Sequence, residues 1–187
     1  MSSKRKNIIA ITGASGSIYA ADILKNISKY SSVFEEIAVI FSKNGKKVFE
    51  FELGKIPKLN KPFRTYENTD LFGAPASGSA GYDSMVVIPC SMGTLGRIAA
   101  GISGSLIERA ADVMLKERRK LILVTRETPL NLIHLRNMET VTLAGGIILP
   151  ASPSFYSKPK TFSEVIDTVT DKVLPLIIKE YKGFEWK

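Results

Sequence analysis

The chain contains one cysteine, one histidine and one tryptophan among its 187 residues. Cys90 has no second cysteine to pair with and no CxxC partner for zinc. His134 alone leaves little material for a transition-metal site, so neither a disulfide nor a bound metal is expected. Long apolar runs are also missing. The polar, basic opening MSSKRKN is followed by an apolar run of about six residues, too short for a secretory core or a membrane span. The expectation is a soluble, cytoplasmic protein with no membrane partner. Internal repeats and low-complexity tracts are absent, and the length suits one domain over residues 1–187, large enough to bury about 70% of its unfolded surface.

Acidic residues are outnumbered, 18 against 26 Lys and Arg, for a net charge of +8. Nucleic acid, an anionic surface or an anionic small substrate could each answer such a charge, so its distribution decides. The basic residues are scattered, at the N-terminus, Lys43 to Lys47, Lys55 to Lys61 and Lys116 to Lys120. No aromatics interleave with them to stack bases, so a nucleic-acid partner is not expected.

Short apolar runs alternate with longer amphipathic segments, the pattern of a parallel sheet covered on both faces. Strands are predicted at 8–12, 37–41, 84–88, 121–125 and 147–149, with helices at 17–29, 44–51, 94–100, 106–117, 130–144 and 163–181. Residues 54–79 carry proline, glycine and isolated aromatics without periodicity and are predicted to be an irregular excursion. The fold class is then α/β, a three-layer open parallel sheet of Rossmann-like or flavodoxin-like type in a single domain, with ligands beyond the carboxyl ends of the strands. The polar tail KEYKGFEWK is expected to dock through residues 183–187 on the site or on a neighbouring subunit.

The unusual sequence lies at those predicted strand ends. TGASGS can make a tight turn whose backbone amides and Ser15 face an anion at a helix N-terminus, or Ser15 or Ser17 can simply cap that helix. PCSMGTL places Ser91 and Thr94 where hydroxyls and amides could hold a phosphate, or could equally form an ordinary cap. No acidic residue closes the second strand, so NAD is disfavoured. RAADVMLKERRK puts Arg109, Asp112, Lys116 and Arg119 at helical spacing, and an Asp112–Lys116 surface pair is the plain account of it. In RETP, Arg126 is aimed into the cleft, with Pro129 expected to start the next helix and Thr128 to cap it. Tyr156 in PSFY and Lys172 could hold a phosphate, or pack and remain solvated. Cys90 is expected to be a small buried residue, and His134 and the set Met92, Met114 and Met138 to be structural.

Together TGASGS, PCSMGTL, RETP, LIHLRNM and PSFY, in that order, resemble the flavin prenyltransferase family of the UbiX/Pad1 type. The resemblance implies an enzyme that transfers a dimethylallyl group from dimethylallyl monophosphate to N5 and C6 of reduced FMN, without metal, and supplies prenylated FMN to a UbiD-type decarboxylase. It also implies a homo-oligomer, a dodecamer. The residues implied for FMN are Gly13, Ala14, Ser15, Ser42, Ser91, Met92, Gly93, Thr94, Arg109 and Arg126. Those implied for the prenyl donor are Lys116, Tyr156, Lys172 and Trp186, and those for catalysis Ser15, Glu52, Lys116 and Glu127, with the register of Glu52 against Glu50 open.

Three positions depart from the family pattern. Leu71 and Phe72 stand where many relatives carry tryptophan, Lys172 stands for arginine, and Glu185 precedes Trp186 where an Arg-Trp pair is usual. These changes bear on substrate choice and pocket closure more than on FMN. Two further classes compete. An FMN-dependent oxidative decarboxylase of cysteine-type substrates is disfavoured because no histidine accompanies the N-terminal helix, and an FMN-binding accessory or carrier subunit would have no chemistry of its own.

Overall fold

A computed structural model describes residues 4–184. Six strands, β1 (Arg5–Ile11), β2 (Phe34–Phe41), β3 (Phe63–Glu67), β4 (Ser84–Cys90), β5 (Lys120–Thr125) and β6 (Ile147–Ile148), form one parallel sheet. Its strand order is β3-β2-β1-β4-β5-β6, the Rossmann order, which reverses direction between β1 and β4. Five helices lie between the strands, α1 (Ser17–Ser28), α2 (Lys43–Leu53), α3 (Met92–Ala99), α4 (Leu106–Lys116) and α5 (Leu132–Leu143), and a sixth, α6 (Phe162–Ile177), follows β6. None is long and apolar enough to cross a membrane.

Alternation along the strands divides the core. Ile8, Ala10, Met85 and Val87 face the layer that holds α3 and α4, whereas Ile9, Ile11, Val86 and Ile88 face α1 and α6. Both faces are apolar because both are covered, and β4 is buried along its whole length. Cys90 belongs to this core at 0% exposure, and burial pushes its thiol up to about 12, so it is no nucleophile at neutral pH.

Five strands fall where the periodicity predicts them, and β3 is the exception. It lies inside the supposed irregular excursion at the sheet edge, pairing with β2, and of FRTYE only Tyr66 is buried. A half-solvated edge strand needs no apolar run, so its signal is weak. The start of α5 also differs from expectation. Asn131 caps that helix by accepting from the His134 amide, and the Asn131 amide donates back to His134 Nδ1. Thr128 and Pro129 thus precede the helix rather than cap and begin it, and His134 has a structural role.

The carboxyl ends of β1 and β4 are fastened by one hydroxyl. Thr12 Oγ1 donates to the Pro89 carbonyl at 2.7 Å and accepts from the Ser91 amide at 2.9 Å, at 2% exposure. Beside it α2 approaches closely: a Cβ on Gly45 would lie 2.3 Å from the Ile11 carbonyl oxygen, which only glycine avoids. Thr12→Val keeps the volume and orphans the Ser91 amide. It is expected to lower unfolding free energy by about 1–3 kcal/mol in urea titrations, and an unchanged midpoint would show that the fastening is dispensable.

Candidate active site

Loops after β1, β2, β4 and β5 converge at this reversal point, where open α/β sheets bind their ligands. Gly13 packs against Asn44 at the start of α2, so that any Cβ there would be 2.7 Å from the Asn44 Cβ. Gly16, at φ 110°, turns the chain into α1 in a conformation that side chains disfavour, and the Arg126 side chain runs past it, 3.8 Å from the place of its missing Cβ. The Arg126 amide donates to the Cys90 carbonyl at 3.2 Å, which ties the end of β5 to that of β4. Tyr19 borders the same turn: burial raises its phenol, and the nearby Arg126 charge works in the opposite direction.

The anion expected at the N-terminus of α1 is supplied by the chain itself. Glu52, on the last turn of α2, accepts from the Gly16 amide at 3.1 Å and from the Ser17 amide at 2.7 Å. Burial works to raise its carboxyl, but hydrogen bonds from Ser15, Ser17 and Gly16 outweigh burial and hold it below its ordinary 4.5. Glu50 instead lines a separate cleft with Lys43, Lys46 and Lys47. Neither Ser15 nor Ser17 caps α1.

The serines after β2 and β4 do act as caps. Ser42 accepts from the Gly45 amide at 2.9 Å and Ser91 from the Thr94 amide at 3.3 Å. Thr94 is 4% exposed with its hydroxyl 3.1 Å from that of Ser91, and Met92 packs into the core, so neither side chain is open to a ligand. What α3 offers is backbone: the Met92 and Gly93 amides take no side-chain cap, and Gly93 is exposed. Arg97, which the sequence reading passed over, comes within 3.5 Å of the Cβ position of Gly93 while its Nε pairs with Glu108. Its signal was its place one turn after Gly93 of PCSMGTL. Glu127 is exposed beside Arg126, its carboxylate accepting from the Thr128 amide at 3.1 Å.

Tyr156 and Lys172 line a separate cavity of about 720 Å³ alongside α6. Three carboxylates share it: Glu164, Asp167 and Asp171. Glu164 accepts from the Lys160 amide at 2.6 Å, while Asp171 takes the Tyr181 hydroxyl and, at 3.2 Å, the Phe184 amide, which folds the tail back so that Phe184 forms part of the wall. Burial, then Asp22 and Asp171, raise the Asp167 carboxyl. Trp186 lies outside the described residues, as do Glu185 and Lys187.

Arg109 and Lys116 are placed differently from the rest. Arg109 donates to the Ala76 carbonyl at 3.2 Å and pairs with Asp112 at 2.7 Å, and Lys116 pairs with Glu117, so the expected Asp112–Lys116 pair does not form. Lys116 ends α4 just before β5, at the amino rim of the sheet. Arg126 follows the other end of β5, about 20 Å away at the rise of a strand. One chain therefore cannot bring these two cations to one ligand.

A family model described as Flavoprotein matches residues 1–174. The chain is 44% identical over 176 residues to the flavin prenyltransferase UbiX of Methanocaldococcus jannaschii, with 92% of each chain covered. Among solved structures, a UbiX (PadA1) in complex with FMN and dimethylallyl pyrophosphate is similar at TM-score 0.88 and 36% identity, covering 98% of this chain and all of that one. A dodecameric FMN-dependent UbiX-like decarboxylase from Escherichia coli O157:H7 is similar at TM-score 0.87 and 35% identity, covering 97% and 99%. A shared Rossmann sheet would leave the function open, whereas identity at this level along nearly the whole chain places it: the protein belongs to the flavin prenyltransferases of the flavoprotein family.

Proposed function

We propose that this protein transfers a dimethylallyl group from dimethylallyl monophosphate to N5 and C6 of reduced FMN, giving prenylated FMN for a UbiD-type decarboxylase. The observation that carries the proposal is the convergence of the Gly13–Gly16 turn, the uncapped α3 amides and Arg126 at the β1/β4 reversal. That cradle suits a flat ring with a phosphate tail. The glycine turn admits close backbone approach, the amides of Met92 and Gly93 and the nearby Arg97 charge suit the phosphate, and the Arg126 fork suits a ring edge. The α1 amides are taken by Glu52, so Ser15 and Glu52 act by fixing the turn and orienting a proton at its edge. Reduced FMN, when bound, supplies the electron-rich acceptor. A reduced acceptor suits the reducing cytoplasm, where we place the reaction.

Ionising an allylic carbon–oxygen bond requires cations on the departing phosphate and walls that keep water from capturing the carbocation. Tyr156 can donate to that phosphate and Lys172 can neutralise part of it. Within one chain, however, their cavity holds three carboxylates against the Lys172 charge, a poor balance for a dianion. The balance improves if Lys116 arrives from a second copy, which its place at the amino rim requires. Exposed apolar side chains support such an assembly: on α5 Ile133 is 68% and Leu143 82% exposed, and Phe155 and Phe162 are each 70% exposed. Closing the bond at C6 needs one proton delivered to the remaining double bond and one removed from C6; Glu127, next to Arg126, or the released phosphate can give the first and take the second.

Incubating the protein with reduced FMN and dimethylallyl monophosphate, and the diphosphate in parallel, should add one C5H8 unit to the extracted flavin. An unchanged flavin under anaerobic conditions would favour an FMN carrier without chemistry. Lys116→Ala and Arg126→Ala are each expected to lower adduct formation roughly 100-fold, and co-assembled oligomers of the two variants should regain activity. Failure of the mixed oligomer to regain it would place both residues in one chain's site. Because the Glu52 carboxyl is more acidic folded than unfolded, its stabilisation is complete above about 4.5 and is lost as pH falls through the folded value. Glu52→Gln should flatten that acid limb of a Tm–pH profile, and an unchanged limb would mean that the carboxylate does not hold the turn.

A further inference from the structure

A second cavity, of about 490 Å³, lies at the amino rim of the sheet, between the starts of β1, β4 and β5 and the end of α6. Arg5, Arg118, Arg119, Lys120 and Lys179 line it against a single carboxylate, Asp83. Neither Tyr156, Lys172 nor Lys116 belongs to its lining. Arg5 donates to the Ile177 carbonyl and pairs with Glu180, both at 3.3 Å, and Lys120 donates to the Leu176 carbonyl at 2.8 Å, covering the negative end of α6. Arg119 donates through Nη2 to the Gly78 carbonyl at 2.9 Å and lies 3.8 Å from Glu117, and Asp83 is occupied by the Lys6 amide at 2.8 Å. Arg118 and Lys179 make no ion pair among the described residues.

Two further observations single this cavity out. Asn7 and Ser84 face each other across the β1–β4 pairing at 1% and 3% exposure, and both line it. Asn7 Nδ2 and Oδ1, Ser84 Oγ and Arg119 Nη1 are buried without a hydrogen-bond partner in the chain, although buried polar groups are almost always paired. Arg118, moreover, sits at φ 56° in the turn that closes α4, where its amide donates to the Leu115 carbonyl and that of Arg119 to Met114. Glycine is favoured there because any Cβ is strained. An arginine at this position stands against its own backbone preference.

We propose that this cavity is a second binding site, for a phosphate group, free or carried as a terminal phosphomonoester. The Arg118 fork, the Lys179 ammonium and Arg119 Nη1 would meet the charged oxygens, Ser84 Oγ and Asn7 Nδ2 would donate to them, and Asn7 Oδ1 would accept from the hydroxyl of a monoprotonated phosphate. The test is hydrogen exchange on the full chain with inorganic phosphate, with glycerol 3-phosphate, and with sodium chloride at matched ionic strength. Saturable protection of segments 4–8, 82–86 and 117–121 by either phosphate species, and not by chloride, is expected, and the more potent species identifies the source. Arg118→Gly relieves the strained turn, so this variant should melt no lower than the parent in phosphate-free buffer while binding at least tenfold more weakly at these segments. Ser84→Ala should weaken protection in the same places. Absence of saturable protection there, equal protection by chloride, or undiminished protection in Arg118→Gly would overturn the proposal.

Discussion

Every ligand-facing loop at the carboxyl edge hangs from the junction of β1 and β4, and that junction is held by the Thr12 hydroxyl, which gives one hydrogen bond and receives another. A parallel sheet that reverses its winding must open a crevice there, because the connections leave the two central strands for opposite faces. Unfastened, the crevice would expose the Pro89 carbonyl and the Ser91 amide. Fastened, it presents the turn after β1 and the start of α3 side by side at a fixed separation. Arg126 reaches the same place from β5 through its amide bond to Cys90.

Electrostatics divides the labour around this crevice. Helix N-termini attract anions, and three of them, from α1, α2 and α3, point toward it. Glu52 occupies the first, and Ser42 and Ser91 each cap one amide of the other two, so the amides left to an external anion are the uncapped ones of α2 and α3. The cavity beside α6 has the opposite bias, with three carboxylates against the one lysine, Lys172, in its lining. An enzyme whose cations sit at both rims of its sheet gains by arranging its copies so that the rims meet.

Much of this was legible in the residues. Apolar runs such as IIAIT and LILVT announce buried parallel strands, and the odd sequence at their carboxyl ends pointed to the crevice. What was missed has physical causes. Strand β3 shows one face to solvent, so its period is masked by Arg64, Thr65 and Glu67. The tie from Glu52 to α1 spans 35 residues and depends on how α2 packs, which no local pattern records. Lys116 could be named as a phosphate ligand from its motif, but its distance from Arg126 follows only from the direction of α4 relative to the sheet.

The backbone of the tail is seated closely on α6, where a Cβ on Gly183 would lie 3.1 Å from the Asp171 carboxyl carbon and the Phe184 amide is bound to the same carboxylate. Phe184 is a wall of the cavity beside α6, so the shape of that wall hangs on a single carboxylate, Asp171, which holds both the Tyr181 hydroxyl and the Phe184 amide.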